Sequence, residues 1–391
     1  MTQQHLLINN TLDLEDVCGR LMAKKPDFIA VDTEFMRNNI IYYPKLSLIQ
    51  ISYGAESFIV DVLTPGMNLS AIEAIMLNKN IIKVFHSCRH DIESLLTLFQ
   101  EIPSPIFDTQ IAAMFCNYYY NFIGYSKLVE QYMGIEIDKI TAKNSNWLKR
   151  PLSLEQLDYA INDVTYLYDL YQILCDQLEA KKRADWFQEE INVINDINRY
   201  THNPREVWKK FHFNCEVTPM AIKAIVEWRE ILAQRYNINR NMIINNIVVN
   251  SLIDRSLERV DEILEYLKNN ARNVNSEDLL EFIDIFYEHE QNISQYNNIP
   301  LYNYDKPVFD MLSIILDSKC RDNDISRKLV ISKEDMAKSM SGCTDTLFKG
   351  WRYDFFGKSI KSFINNDSQF KISITKSSDN MMHLKSEESV L

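Results

Sequence analysis

Residues 27–35 read DFIAVDTEF: an apolar run, Phe28 to Val31, that ends in Asp32-Thr33-Glu34. Four apolar residues bounded by charge and rich in β-branched and aromatic side chains predict a buried strand. On a strand, residues two apart face the same way, so Asp32 and Glu34 project side by side. Two adjacent carboxylates at the end of a buried strand repel each other, and a divalent cation is their natural counter-ion. Taken alone, the spacing is equally compatible with a strand end reaching solvent. Outward from this stretch, LSLIQISYG (46–54) and SFIVDVL (57–63) read as further strands, punctuated by Gly54 and by Thr64-Pro65-Gly66. AIEAIMLN (71–78) has helical spacing, IIKVFHS (81–87) is an apolar strand, and DIESLLTLFQ (91–100) is helical up to Pro103 and Pro105. From Ile106 to Phe187 the expectation is nearly continuous helix. Strands first, then strand and helix in alternation, then a helical cap, predict a mixed α/β domain over residues 1–200.

The character changes near Tyr200. MAIKAIVEWREILAQ (220–234), NMIINNIVVNSLI (241–253) and VDEILEYLKN (260–269) carry apolar residues at helical spacing, which predicts a bundle of four or five short helices over 201–290. QNISQYNNIPLYNYDKP (291–307) reads as a polar linker, and a third helical unit follows over 305–391, with a strand near its polar end. No internal repeat has a fixed period.

Composition bounds the function classes. The 391 residues include 42 basic and 54 acidic side chains, a net charge of −12 that excludes a simple basic nucleic-acid coat. At 46% hydrophobic and 25% charged residues, the chain is globular, and its length suits two or three domains. Only 8 glycines and 10 prolines favour long helices with few tight turns. No apolar run approaches a membrane span. The seven scattered cysteines form no C-x-x-C pair, and MTQQHLLINN lacks the pattern of a signal peptide, so reduced thiols and a cytoplasmic protein are expected.

Two further carboxylates stand where chemistry is placed. Asp91 opens the helix after IIKVFHS, at the C-terminal end of a strand, although helix capping is the plainer role for such a residue. His86 and His90 lack a shared helical face and read as structural or substrate-proximal. SLEQLDYAINDVTYLYDLYQIL (153–174) opens with a Ser153-x-x-Gln156 capping box, and Tyr159 and Asp163, four apart, share one helical face. An amphipathic helix with a half-buried Tyr and a solvated Asp is the commoner meaning of any such pair.

In order and spacing, these pieces resemble the three motifs of the DEDD exonuclease superfamily, in the subgroup whose third motif carries tyrosine. FIAVDTEF matches the first motif, KVFHSCRHDIESL the second and RPLSLEQLDYAINDVTYL the third. IFDTQIAA, LSLIQI, GYSKLVEQYMG and NWLKRPLS resemble the ribonuclease D family in particular, over residues 5–190. AIVEWREILAQRYNINRNMIINNIVVNSLI is similar to the helicase-and-RNase-D C-terminal (HRDC) domain, with Asn239 where a proline is usual and Asn246 where an aspartate is usual. KLVISKEDMAK and LFKGWRYDFFG resemble the C-terminal helical region of the same family.

The resemblance implies a ribonuclease H-like core with a mixed sheet and flanking helices, followed by helical HRDC-type domains at 201–290 and 305–391. It implies 3′-to-5′ exoribonuclease chemistry with two divalent ions, Mg²⁺ or Mn²⁺, which suit hard oxygen ligands where no Cys/His cluster exists. By that resemblance Asp32 bridges both ions, Glu34 and Asp163 complete the site that activates water, Asp91 helps to hold the second ion, largely through water, and Tyr159 orients the nucleophilic water. The implied substrates are tRNA precursors and other small RNAs with a single-stranded 3′ end, bound by a monomer. Lys143, Lys149 and Arg150 are candidates for the RNA backbone, Trp147 for stacking on a base, and Phe35 and Met36 for a wedge against the terminal base. For each, loop charge or core packing is the competing role. In the bundle, Lys209, Lys210, Lys223, Arg229, Arg235 and Arg240 are candidate phosphate contacts, with Arg229 and Arg240 alternatively in internal salt bridges. A DNA exonuclease of the same superfamily and a non-catalytic RNA-binding protein are the alternatives; the first is disfavoured because no helicase or polymerase region is read in this sequence, and the second is at odds with five retained site residues.

Overall fold

The computed structural model describes residues 6–117, 119, 121–137, 145–210, 220–252, 259–291, 305–342, 344–364, 368–376 and 382–390. Its N-terminal half is built on a six-stranded mixed sheet: β1 (Leu6–Ile8), β2 (Phe28–Met36), β3 (Lys45–Tyr53), β4 (Glu56–Asp61), β5 (Ile82–Phe85) and β6 (Ile106–Asp108), in the spatial order β1-β4-β3-β2-β5-β6. β2, β3 and β4 pair antiparallel as a meander, while β1, β5 and β6 pair parallel to their neighbours. The three long strands are those read from the sequence. β6 lies within the stretch expected to be helical: its three residues are all buried, and so short an apolar run carries no period to distinguish strand from helix.

Helices cover both faces, which is why β3 is buried at eight of its nine positions. α1 (Thr11–Ala23), α2 (Ser70–Met76) and α3 (Arg89–Phe99) enclose one core with Ile29, Val31, Ile49, Ile51 and Phe85. On the other face, α4 (Thr109–Cys116), α5 (Tyr125–Met133), α7 (Leu167–Ala180) and α8 (Ala184–Ile194) pack against Ala30 and Val84. α6 (Leu154–Thr165) lies across β2, β3 and β4 and closes a small core of Leu48, Ile59, Trp147, Ala160 and Ile161. Beyond the N-terminal end of β5, buried Lys83 donates to the carbonyls of Asn78, Ile81 and Ser104 at 2.7–3.0 Å, so that end of the sheet is closed by structure.

α9 (Met220–Tyr236), α10 (Arg240–Ile243), α11 (Asn246–Ser251), α12 (Val260–Asn270) and α13 (Ser276–Gln291) surround their own core around Trp228 and Phe282. The next helices, from α14 (Lys306–Asp322) through α15 (Arg327–Val330), α16 (Lys333–Met340), α17 (Gly350–Arg352) and α18 (Lys358–Ile364), share one core with α4, α7 and α8. Trp351 stacks on Trp186 at 5.4 Å, and Arg352 forms a two-fold ion pair with Glu190. The chain ends in an antiparallel hairpin, β7 (Ser368–Lys376) and β8 (Met382–Val390), two strands where the sequence suggested one.

Candidate active site

Asp32 and Glu34 stand near the C-terminal end of β2, and Asp163 reaches them from α6; one oxygen from each lies within 4.8 Å of the others. α6 starts where the sequence places it: Ser153 accepts from Gln156 N, and the Gln156 side chain accepts from Ser153 N. One turn before Asp163 on the same face stands Tyr159, close enough for the Asp163 charge to act on its hydroxyl. At the far end of α6, the Tyr125 hydroxyl donates to Asn162 O at 2.9 Å and accepts from Tyr166 N at 3.1 Å, tying the turn after Asp163 to α5.

Asp91 stands apart from this cluster, buried in the first turn of α3, and accepts from the Thr33 hydroxyl at 2.5 Å. Thr33 faces away from Asp32 and Glu34, so three consecutive residues of β2 serve the site from both faces. The turn that carries Asp91 is clamped by Asp108, which also caps α4: it accepts from Ser87 N, Cys88 N, Gln110 N and Ile111 N. Ser87 sits at φ +63°, and its bond to Asp108 helps to hold that left-handed turn. His86 bridges Thr109 and the carbonyl of Ile123, and burial pushes its ring below the usual pKa, so it stays neutral. A residue of the type of Asp108 is visible in sequence only as an N-cap after a short strand, since its partners lie about twenty residues away.

Burial pushes Asp32 well above the usual carboxylate range, and the charges of Asp91, Asp163 and Glu34 push it further. Asp91 is pushed up to about 7, mainly by burial, against the opposing bond from Thr33. Tyr159 is raised too, first by burial and then by the same carboxylates, so its hydroxyl keeps its proton. Four oxygen-donor side chains that repel one another in this way fit hard divalent cations such as Mg²⁺ or Mn²⁺. Among the described residues no other group of three metal-ligating side chains comes together.

The site opens into a cleft of about 830 Å³ lined by Asp32, Glu34, Phe35, Met36, Trp147, Tyr159 and Asp163. The chain is 32% identical to the ribonuclease D of Zymomonas mobilis over 95% of its own length and 96% of that protein. It belongs to the ribonuclease D family. The ribonuclease D of Bartonella henselae is likewise 32% identical, over 94% of this chain and 92% of its own. A family model described as 3′-5′ exonuclease matches residues 7–179. The crystal structure of Escherichia coli RNase D, at 21% identity, superposes with a TM-score of 0.74 over 93% of this chain and 99% of its own, a shared fold. The mixed sheet with flanking helices is thus that of ribonuclease D, and the chain is an exoribonuclease of that type, a hydrolase of phosphodiester bonds acting from the 3′ end.

Several residues expected at the RNA have other partners in this family member. Trp147 is only 3% exposed: it packs in the core under α6, with its ring 5.9 Å from that of Tyr159, which corrects the stacking role in favour of packing. Arg150 forms a two-fold ion pair with Asp61, both contacts 2.6 Å, and also bonds Ser47 and the carbonyl of Trp147. Its guanidinium is a bolt between the β3–β4 edge and the start of α6, not a free phosphate contact. Lys149 is exposed but does not line the cleft, and Lys143 lies outside the described residues. Phe35 and Met36 do line it, half-buried, just past a bulge at which β3 carries the extra residue Ser47. In the bundle, Lys223 lies over Trp208, Arg229 bonds Ile244 O and Asn246, Arg235 bonds Glu281, and Arg240 pairs with Glu230; these four are internal contacts. The side chains of Lys209 and Lys210 lie outside the description.

Proposed function

We propose that this exoribonuclease removes single nucleotides as 5′-monophosphates from the 3′ ends of tRNA precursors and other small structured RNAs, using Asp32, Glu34, Asp91, Tyr159 and Asp163. The convergence of Asp32, Glu34 and Asp163 within 4.8 Å, with Tyr159 lining the same cleft, carries the reading. Two bound Mg²⁺ or Mn²⁺ ions would supply an activated water and neutralise the charge that builds on phosphorus and on the leaving 3′-oxygen. Asp32, central to the electrostatic coupling, would hold both ions; Glu34 and Asp163 would complete one coordination shell, and Asp91 would support the other through water. Tyr159, protonated at neutral pH, donates rather than accepts, and would direct an incoming water by position. Phe35 and Met36 present apolar surface on the cleft wall for the terminal base or ribose.

We place the enzyme's action in the cytoplasm, as a monomer, on small RNAs; no helix among the described residues is long and apolar enough to cross a membrane. The helices of 201–290, which surround their own core, would be one HRDC-type unit, and those of 305–391, which share a core with α4, α7 and α8, would be a second one packed on the nuclease.

The test is a 5′-labelled tRNA precursor with a short 3′ trailer, incubated with Mg²⁺ or Mn²⁺, beside a matched DNA strand, an EDTA control and the Asp32→Asn variant. A metal-dependent ladder shortening from the 3′ end of RNA, abolished in the variant with its fold intact, is expected. Shortening of DNA alone would assign the enzyme to DNA, and full activity of the variant would overturn the metal assignment.

A further inference from the structure

Among the described residues that line the catalytic cleft, Arg37 is the one side chain that is positively charged at neutral pH, since His86 is buried and held neutral. Arg37 directly follows β2, three residues after Glu34. Its side chain is 44% exposed, and one terminal nitrogen lies 2.6 Å from Glu93 Oε2 on α3. Glu93 in turn lines a second cavity, also of about 830 Å³, formed by the segment 41–46, α3, residues 197–202 and α9. The Arg37–Glu93 pair therefore stands on the wall between the two cavities.

An RNA whose 3′ nucleotide occupies the cleft must lead its backbone out past such a wall. The exit has to be tolerable for a polyanion that has just approached three carboxylates, and a guanidinium answers that need. Arg37 offers five N–H donors in a planar fork, of which the contact with Glu93 engages one nitrogen. A half-exposed ion pair of this kind is weak in water and screened by salt, so a phosphodiester can displace or share it. The second cavity presents Tyr43, Tyr200 and Lys45, surfaces suited to a base and a further phosphate.

We propose that Arg37 binds one of the two backbone phosphates immediately upstream of the scissile one, and that the RNA then runs over the Arg37–Glu93 pair into the cavity between the nuclease and α9. This rests on the exoribonuclease reading. Glu93 keeps the guanidinium aimed at the exit while no RNA is bound.

The experiment is cleavage of short single-stranded RNAs by the full chain, each RNA carrying one neutral methylphosphonate at a different linkage upstream of the cut. With the wild type, one of the first two upstream linkages should cost about tenfold in kcat/KM, the loss of one charge-assisted contact. Arg37→Gln should lose about tenfold on all-phosphate RNA, mainly in KM, and no more on the RNA neutralised at that linkage. Its salt dependence should flatten by about 0.7 in the slope of log KM against log salt. Arg37→Lys should fall between the two, and Glu93→Gln should bind RNA at least as tightly as the wild type. Undiminished wild-type cleavage at every substituted linkage overturns the proposal alone, whatever the variants do. So does a Glu93→Gln variant as defective as Arg37→Gln, because Arg37 would then act by holding α3. A wild type that cuts no RNA overturns the exoribonuclease reading and the proposal with it.

Discussion

Replacing Asp91 with asparagine is expected to make the metal-free protein more stable at neutral pH. The carboxyl is 7% exposed, and burial is the largest cause that pushes it up to about 7 from its ordinary 3.8. A shift of about three units, at about 1.36 kcal/mol each, puts a ceiling of about 4 kcal/mol on what the ionised group costs the fold. The sign follows from proton counting. In the unfolded chain Asp91 loses its proton near pH 4, whereas in the native state it keeps it to about pH 7. Between these limits the native state binds more protons, so this contribution is complete below the unfolded pKa and is lost as pH rises through the folded one. His86 works the other way, because burial holds it neutral where the unfolded ring takes a proton. Comparing wild type and Asp91→Asn at each pH cancels that term, and the asparagine oxygen can still accept from Thr33. Melting temperatures in EDTA should converge towards pH 4 and separate towards pH 7.5, with the variant several degrees higher. Saturating Mg²⁺ should close the gap by stabilising the wild type. A variant that melts below the wild type in EDTA at pH 7.5, or a gap that does not change with pH, would refute this account of the cluster.

Tyr159→Phe should lower kcat about a hundredfold while KM and melting temperature stay close to wild type, measured by single-turnover cleavage; a change confined to KM would count against the positioning role. Arg150→Met leaves Asp61, 8% exposed, without its cation and should cost about 3–5 kcal/mol in a denaturant titration. Ending the chain after residue 304 uncovers Phe115, Leu170 and Leu174, each fully buried in the core shared with α14 to α18. The expected product aggregates or binds a hydrophobic dye, and a soluble, active fragment would show that this core is dispensable.

The carboxylates were readable because local rules determine them. Period-two alternation put Asp32 and Glu34 on one face, and the capping box fixed the start of α6, hence the one-turn spacing of Tyr159 and Asp163. What the sequence hides is the partner of each charge. Arg150 reads as a loop cation until Asp61, 89 residues away, is beside it. Arg229 reads either as a phosphate contact or as an internal partner until Asn246 and Ile244 O meet it in a core. Nothing local marks Arg37: its place on the cleft wall and its partner Glu93, 56 positions on, emerge only in the fold. β1 and β6 are three residues each, too short for any period to show.

The same long-range contacts bear on what the helical bundle does for the nuclease. The segment that joins β2 to β3 leaves the site at Arg37 and is then gripped by the bundle. Tyr42 bonds Glu230 and lies 5.0 Å from the Arg240 guanidinium; Tyr43 N donates to Asn237 Oδ1 at 2.9 Å, and Asn239 N donates to Ile40 O at 2.7 Å. The last of these requires an N–H, so Asn239 makes a contact that a proline at this position could not. Asn246 accepts from Arg229 at 2.7 Å through its side-chain oxygen. Glu230 is fully buried, yet its carboxyl stays below the usual range: burial pushes it up, and the bonds from Arg240 and Tyr42 outweigh that. Breaking this anchor would leave a buried charge, so the segment is held firmly at Tyr42, five residues from Arg37 and eight from Glu34. Of the four bundle cations with internal partners, Arg240 is the one that reaches this segment, donating to the Tyr42 hydroxyl at 3.2 Å and to Glu230, so it helps to fix the path of the chain beyond β2.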